Sequence, residues 1–250
     1  MTIMSAKRRH DACTNRWLQV KRISSKIERM KKIYMIFLMC LLSGSILSQT
    51  KLEITLQNNS FENGPERKLK HEPPFSWDSP WTEKKLNTPD LHTPSYIEYK
   101  VNLPAQEGER YIGLVSRRDF NNEEISQMLS KPLLPNKEYQ IKLIACSSEN
   151  YLSPGYMEEI DGEIKSFEED LNYNNPVRIL LIGRNSEREE ILGRTEEIDY
   201  NSWREYTVEF MVNEEYDEIA ITLESIEIHP SEKRNGNVLI DYISNIYSYE

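Results

Sequence analysis

Hydrophobic and polar residues alternate in short runs along most of the chain after residue 50. A period of two places every second side chain on one face of a strand, so each run predicts a β-strand with one buried face. The alternating apolar positions are Leu52, Ile54 and Leu56; Tyr139, Ile141 and Leu143; Tyr206, Val208, Phe210 and Val212; and Ile219, Ile221 and Leu223. Residues 177–183 are more continuously apolar, which predicts a strand covered on both faces, and residues 238–246 supply a last strand.

Clusters of Pro, Asn, Gly and Asp separate these runs, and no long amphipathic helix lies between successive strands. Such spacing favours antiparallel sheets over βαβ units, so we expect one all-β domain, an antiparallel β-sandwich, over residues 49–250. Residues 158–171 are an exception, because their apolar positions have helical spacing and predict a short helical insertion or another ordered insertion. Residues 124–129 fit a strand and a helical turn equally well.

The segment between Arg67 and Tyr99 has little regular pattern and contains five prolines, which prevent a long strand ladder. We therefore interpret it as a long loop or a set of loops. Loops carry binding residues more often than cores do, so this segment is the first place to look for a ligand site.

The N-terminal region combines basic residues with a short apolar run. Residues 30–48 have a basic start, an apolar stretch from Ile33 to Leu42 and then small residues, which is the pattern of a secretory signal peptide. A membrane span is the competing interpretation, but the apolar run is shorter than the roughly 20 residues that a spanning helix needs. The sequence thus predicts export to the periplasm, the cell surface or the medium, with no membrane span in the mature chain.

Residues 1–29 form a basic leader, which is either a nucleic-acid-binding arm or, as we favour, a start site placed too early, with Met30 or Met35 as the true start. After Ser48 the chain has 21 Lys plus Arg and 39 Asp plus Glu, a formal charge of 21 − 39 = −18. An acidic surface repels the phosphate backbone, which excludes nucleic acid as the expected partner. Cys146 is alone in the mature chain, and a buried inert thiol is the expected role.

Several short motifs occur in the order found in known jelly-roll modules. The chain resembles carbohydrate-binding modules and galactose-binding domains of jelly-roll type, in the version found in exported proteins of Bacteroidota-like bacteria. The resemblance is carried by Asn59-Ser60-Phe61-Glu62, Trp77, Thr88-Pro89-Asp90, Tyr111-Ile112-Gly113-Leu114, Pro132-Leu133, Asn175-Pro176-Val177, Gly183, Trp203, Tyr206 and Gly236 to Ser244. One departure is Tyr242, where the family often has asparagine after the aspartate of the last strand.

The resemblance implies that Phe61 and Glu62 lie near the last strand, close to Asp241. Some members hold a structural calcium ion at this corner, so Glu62 and Asp241 are candidate metal ligands, although calcium takes roughly six to eight oxygen ligands. The alternative is that Glu62 accepts hydrogen bonds from exposed backbone N–H groups and Asp241 binds a turn. We favour this second interpretation.

Catalytic signatures are scarce, since no nucleophile elbow, zinc-binding His pair or phosphate-binding loop occurs in the sequence. Sugar binding requires fewer specialised residues than catalysis does. An aromatic face packs against the apolar side of a sugar ring, and polar groups bind its hydroxyls. The candidate aromatic residues are Trp77, Trp81, Tyr96 and Tyr99, and the candidate hydroxyl partners are Asp78, Asp90 and Arg117. For Trp77 and Trp81 the alternative, which stays equally open, is that they anchor the long loops against the sheet.

We therefore expect an exported, non-catalytic module that binds glycan or another cell-surface polymer. A structural or adhesion component of a cell-envelope assembly, with a protein partner, is the alternative. A polysaccharide hydrolase that uses two carboxylates is the third possibility.

Overall fold

The computed structural model describes residues 28–32, 51–64, 73–79, 89–93, 99–117, 122–154, 157–160, 163–166, 170–226 and 235–249. The chain divides into two compact units, Met1–Gln49 and Thr50–Glu250. In the first unit, residues 28–32 are helical. None of the helices among the described residues combines the length and the apolar character needed to cross a bilayer.

The second unit is built from antiparallel strands. The strands are β1 (Lys51–Ile54), β2 (Asp90–His92), β3 (Tyr111–Ser116), β4 (Glu124–Leu133), β5 (Glu138–Cys146), β6 (Leu152–Pro154), β7 (Met157–Ile160), β8 (Glu163–Ser166), β9 (Asp170–Asn172), β10 (Val177–Arg184), β11 (Glu189–Arg194), β12 (Arg204–Met211), β13 (Tyr216–Ser225), β14 (Gly236–Ile243) and β15 (Ile246–Tyr249). The sequence-based prediction of an all-β fold is confirmed, and the ambiguous residues 124–129 belong to strand β4.

Eight of these strands form a jelly roll. The large sheet contains the order β12-β5-β14-β3, and the small sheet has the order β11-β10-β13-β4. Along the chain, β3, β4, β5, β10, β11, β12, β13 and β14 pass between the two sheets in the pattern of two Greek keys, which defines this topology. Strands β1, β15 and β2 extend the large sheet. The predicted β-sandwich with jelly-roll topology is confirmed.

The main core lies between the two sheets. Strands β5 and β12 bury alternate residues, and Tyr139, Ile141 and Leu143 face this core together with Val208 and Phe210. Strands β10 and β13 of the small sheet contribute from the other side. Their buried apolar residues are Val177, Ile179, Leu181, Ile219, Ile221 and Leu223. Because alternation fixes the buried face, it also determines which side chains point outward from each sheet.

The predicted helix over residues 158–171 is wrong. The described residues there form strands: β7 pairs with β8, and β6 pairs with β9. Ile160 is the register partner of Glu163. The sequence between them, Asp161-Gly162, is a dipeptide that favours a two-residue hairpin turn over a helix. The helical spacing of the apolar residues outweighed this turn signal in the prediction.

Candidate functional site

The outer face of the large sheet carries a second, smaller apolar cluster. On β3, Ile112 and Leu114 face the main core, whereas Tyr111 and Val115 face outward into this second cluster. The residues that pack with them are Val101, Cys146, Tyr151, Tyr173 and Leu239, with Tyr99, Leu103, Ala105 and Trp203 partly buried around them. The Cys146 thiol is fully buried, and burial raises its pKa, as expected for an inert thiol.

Backbone carbonyls of residues 103 and 104 fix the segment that covers this face. The Tyr111 hydroxyl donates a hydrogen bond to the carbonyl of Leu103 (2.6 Å), and the indole N–H of Trp203 donates to the carbonyl of Pro104 (2.9 Å). Tyr99 stacks on Tyr151 with ring centroids 5.7 Å apart. Tyr99, a predicted sugar-binding residue, is therefore part of a packed cover.

Trp77, another predicted sugar-binding residue, lies in the main core. It is 2% exposed, packs on Phe61 with ring centroids 5.7 Å apart, and donates its indole N–H to the carbonyl of Asn58. Trp77 thus anchors its loop against the sheet and offers no open ring to a sugar, because the neighbouring Asp78 bridges Ser126 of β4 and turns the side chain of Trp77 inward. Trp81 and Tyr96 fall outside the described residues.

Asp78 points outward and lines a depression on the outer face of the small sheet. The depression has a volume of about 220 Å³, and its lining residues are Asp78, Ser79, Ser126, Met128, Arg184 and Glu218. Cross-strand register explains how these residues meet: Glu218 of β13 is the partner of Met128 on one side and of Arg184 on the other. The structure thus brings together side chains from three strands and from the segment of residues 73–79.

Arg184 is held in place by carboxylates. Its two terminal nitrogens donate to the two carboxylate oxygens of Glu124 (2.5 and 2.9 Å), and Nε donates to Glu189 (3.1 Å). These hydrogen bonds raise the pKa of Arg184, chiefly those to Glu124, so the guanidinium stays charged. Glu124 of β4 is the register partner of Thr222, and Arg184 of β10 is the register partner of Glu218. The ion pair between Arg184 and Glu124 therefore crosses β13 diagonally.

Sequence reasoning found Asp78 but missed Arg184 and Glu218. Both lie in strands that the hydrophobic pattern identified, but neither was singled out as a candidate. No local signal separates them from the other surface charges, because their meeting depends on the register of β4, β10 and β13.

Asp90 and Arg117, the other predicted hydroxyl partners, lie away from this depression. Asp90 on β2 accepts a hydrogen bond from the Tyr151 hydroxyl (2.5 Å). Arg117 follows β3, is buried, and forms an ion pair with Glu123 (2.8 Å). Because its guanidinium is enclosed, Arg117 is not available to a ligand at the surface, and that prediction is corrected.

Glu62 and Asp241 hold one loop from two sides. Oε1 of Glu62 accepts hydrogen bonds from the backbone N–H groups of Glu109 and Arg110, both at 2.9 Å. Oδ2 of Asp241 accepts from the N–H groups of Gln106 and Glu107. The preferred sequence interpretation, in which these carboxylates bind backbone N–H groups, is therefore confirmed. We call this arrangement the carboxylate clamp.

The clamp leaves few oxygens for a cation. Oδ1 of Asp241 is buried without a hydrogen-bond partner, and burial raises the pKa of this carboxyl. A metal ion would offset that cost, but calcium takes roughly six to eight oxygen ligands. Within the described part of the chain, no three His, Cys, Asp or Glu side chains form a group suited to a metal. A calcium ion at Glu62 and Asp241 stays a prediction that needs further oxygen ligands.

Glu62→Ala should loosen the loop of residues 106–110. The substitution removes the charged acceptor of two backbone N–H groups near the surface, where water can partly replace it, so we expect a loss of about 1 kcal/mol of unfolding free energy. Hydrogen exchange should become faster at the amides of Glu109 and Arg110. Glu205→Ala, which removes an exposed carboxylate outside this loop, is the control. Equal exchange rates in the two variants would contradict the clamp.

No protein-family model matches the chain, and no curated protein sequence matches it. Solved structures do show similarity. One is the CBM22-1 xylan-binding domain from Paenibacillus barcinonensis Xyn10C, with 12% identity, a TM-score of 0.40, and coverage of 77% of this chain and 92% of the domain. Another is a family 29 carbohydrate-binding module complexed with mannohexaose, with 9% identity, a TM-score of 0.33, and coverage of 80% and 92%.

A third similar structure is the CBM22-1 and GH10 modules of Clostridium thermocellum xylanase 10B complexed with xylohexaose. Identity is 11%, the TM-score is 0.39, and the alignment covers 69% of this chain. The chain spans about a quarter, 26%, of that protein. At these TM-scores and identities the similarities do not establish a ligand or an activity for this chain.

Proposed function

We propose that the protein is an exported, non-catalytic module that binds glycan or another cell-surface polymer through the depression around Asp78. The observation that supports this proposal is the combination of Asp78, Glu218 and Arg184 with Met128 at one open position on a rigid sheet. Export through the predicted signal at residues 30–48, in a bacterium of the Bacteroidota type, is part of the proposal.

The lining residues have the chemistry that sugar recognition requires. Carboxylates of Asp78 and Glu218 can accept hydrogen bonds from sugar hydroxyls, and charged acceptors make stronger hydrogen bonds than neutral ones. Met128 is 60% exposed and offers an apolar surface to the C–H face of a sugar ring. Little side-chain conformational entropy is lost at Arg184 when a ligand binds, because Glu124 already fixes its guanidinium.

The size of the depression suits part of a polymer rather than a whole small molecule. Its volume of about 220 Å³ lies below the roughly 300–1,000 Å³ typical of sites that enclose a ligand. We infer that one sugar unit occupies it while the rest of the chain lies along the sheet. Phe75 is 57% exposed in the same segment as Asp78 and is an aromatic residue that could stack on a neighbouring sugar.

Glycan-array binding should fall at least about tenfold after Asp78→Asn or Glu218→Gln, because each substitution removes a charged hydrogen-bond acceptor. Asp217→Asn is the matched control, since Asp217 is an exposed carboxylate beside Glu218 that does not line the depression. Circular dichroism should show that all three variants fold. Binding that is unchanged in both depression variants would contradict the proposed site.

Two further assays on the same purified protein test the other interpretations, an adhesion component and a polysaccharide hydrolase. A cell-envelope protein that co-purifies with the chain, together with no glycan signal on the array, would favour the adhesion component. Release of reducing sugar from a polysaccharide would favour the hydrolase.

A further inference from the structure

The depression around Asp78 carries an excess of negative charge. Asp78 and Glu218 line it, and Glu124 and Glu189 contact Arg184, the one cation among the lining residues that the structure describes. This gives four carboxylates around one guanidinium. Two other arginines of the small sheet, Arg178 and Arg194, pair with Glu224. Their register positions place them towards the opposite ends of β10 and β11, so they do not balance the charge at Asp78.

The guanidinium of Arg184 is not available to bind an anionic group of a ligand. All three of its nitrogens already donate to carboxylates, Nη1 and Nη2 to Glu124 and Nε to Glu189, and Nη1 lies 3.8 Å from Glu218. A carboxylate or sulfate group on a ligand would have to compete with these partners and would face the repulsion of Asp78 and Glu218.

Ser79 gives an independent indication that a polar ligand belongs here. It lines the depression and is only 8% exposed, yet its hydroxyl has no hydrogen-bond partner. Buried polar groups are nearly always paired in native proteins, and an unpaired one calls for an absent partner. A hydroxyl can accept as well as donate, so it suits a ligand that brings several N–H or O–H donors.

Resting on the proposed function, we propose that the depression selects amino sugars, that is, glycan units with a free primary ammonium group beside hydroxyls. An ammonium has three donors and no acceptor, which complements the acceptors of Asp78, Glu218 and Ser79. Its charge is attracted by the carboxylates that are left over once Arg184 is neutralised. Uronic-acid and sulfated glycans are repelled by the same groups.

The probes are oligomers of β-1,4-linked glucosamine, the same oligomers after N-acetylation, and oligogalacturonate, measured by titration calorimetry with the full protein. In mildly acidic buffer the sugar amine is protonated, and N-acetylation removes this charge while the backbone of the sugar stays the same. We expect the free-amine oligomer to bind about fivefold tighter than its acetylated form at low salt, as two partly exposed charge pairs would give. Half-molar salt should reduce this preference, because it screens exposed charges.

Asp78→Asn and Glu218→Gln should each reduce the preference for the free amine, and Glu205→Gln should leave it unchanged. Glu205 is an exposed carboxylate paired with Lys142 on the large sheet, so it controls for general attraction of a polycation to an acidic protein. Equal affinity for the amine and acetylated forms, a preference for oligogalacturonate, or an equal effect of all three variants would overturn the inference and leave glycan binding standing. No binding of any oligomer, with no signal on the glycan array, would overturn the proposed function itself.

Discussion

Acidification from pH 7 to pH 4 should cost the protein about 3 kcal/mol of unfolding free energy at His92 alone. His92, at the end of β2, is 2% exposed, and neither ring nitrogen has a hydrogen-bond partner. Its ring stacks on Tyr111 with centroids 5.1 Å apart. Burial lowers the pKa of His92 from 6.5 to about 3, so the imidazole is neutral in the folded state.

The sign of the effect follows from proton binding. Below pH 6.5 the unfolded chain binds a proton at His92, whereas the folded protein does not bind it until the pH approaches 3. Stability contributed by the neutral ring is therefore complete above pH 6.5 and is lost progressively as the pH falls. Asp241 acts in the opposite direction, because burial raises the pKa of its carboxyl and its protonation relieves that cost.

His92→Phe isolates this contribution. Phenylalanine has a similar ring, does not titrate, and gives up no hydrogen bond here. Phenylalanine is somewhat larger than histidine and space is limited, since a Cβ atom on Gly113 would already lie 2.7 Å from Nε2 of His92, so the loss between the two pH values is compared within each variant. Urea unfolding at pH 7 and pH 4 should show a smaller loss in this variant than in the wild type. Met211→Ala, at an exposed position, should retain the wild-type loss. An equal loss of unfolding free energy between pH 7 and pH 4 in His92→Phe and in the wild type would contradict the prediction.

Glu123→Leu should be among the most destabilising single substitutions, at about 3–5 kcal/mol. Glu123 and Arg117 are both buried, with Nη2 of Arg117 donating to Oε1 of Glu123 (2.8 Å), and Oε2 accepts from the N–H of Val115 (2.9 Å). Removing the carboxylate leaves a buried guanidinium whose Nε and Nη1 already lack partners. An uncompensated buried charge costs more than the pair itself contributes.

The double variant Arg117→Met/Glu123→Leu should lose less stability than Glu123→Leu, because it removes both charges together. Chemical denaturation of the wild type, both single variants and the double variant completes the cycle. Glu205→Leu, which breaks the exposed pair with Lys142, should cost below about 1 kcal/mol. A double variant less stable than Glu123→Leu would show that the charge of Arg117 is not what makes the single substitution costly.

Predictions that rested on side-chain alternation are confirmed, because the period is a property of each strand alone. The residues 139–143 and 206–212 bury the side chains that the pattern indicated. Predictions that rested on composition were weaker. The proline-rich character of the segment after Arg67 indicated loops, but it did not indicate that Asp78 pairs with Ser126 and that Trp77 turns inward as a result.

The candidate site was only partly predictable. Asp78 was identified as a hydroxyl partner, whereas Arg184 and Glu218 looked like ordinary surface charges. Their roles depend on register: Glu218 lies between Met128 and Arg184 only because β13 pairs with β4 and β10 at particular positions. A shift of β13 by one residue would move Glu218 to the opposite face, away from Met128 and Arg184.

The sequence alone thus determined the alternating strands, the face that each of them buries, the sandwich and the acidic character of residues 49–250. The tertiary structure decided which candidate residues reach the surface and which charges meet. The physical reason is the separation of the residues along the sequence. Alternation is set by neighbouring residues, whereas the depression is lined by residues 78, 126, 184 and 218, which only the folded sheet brings together.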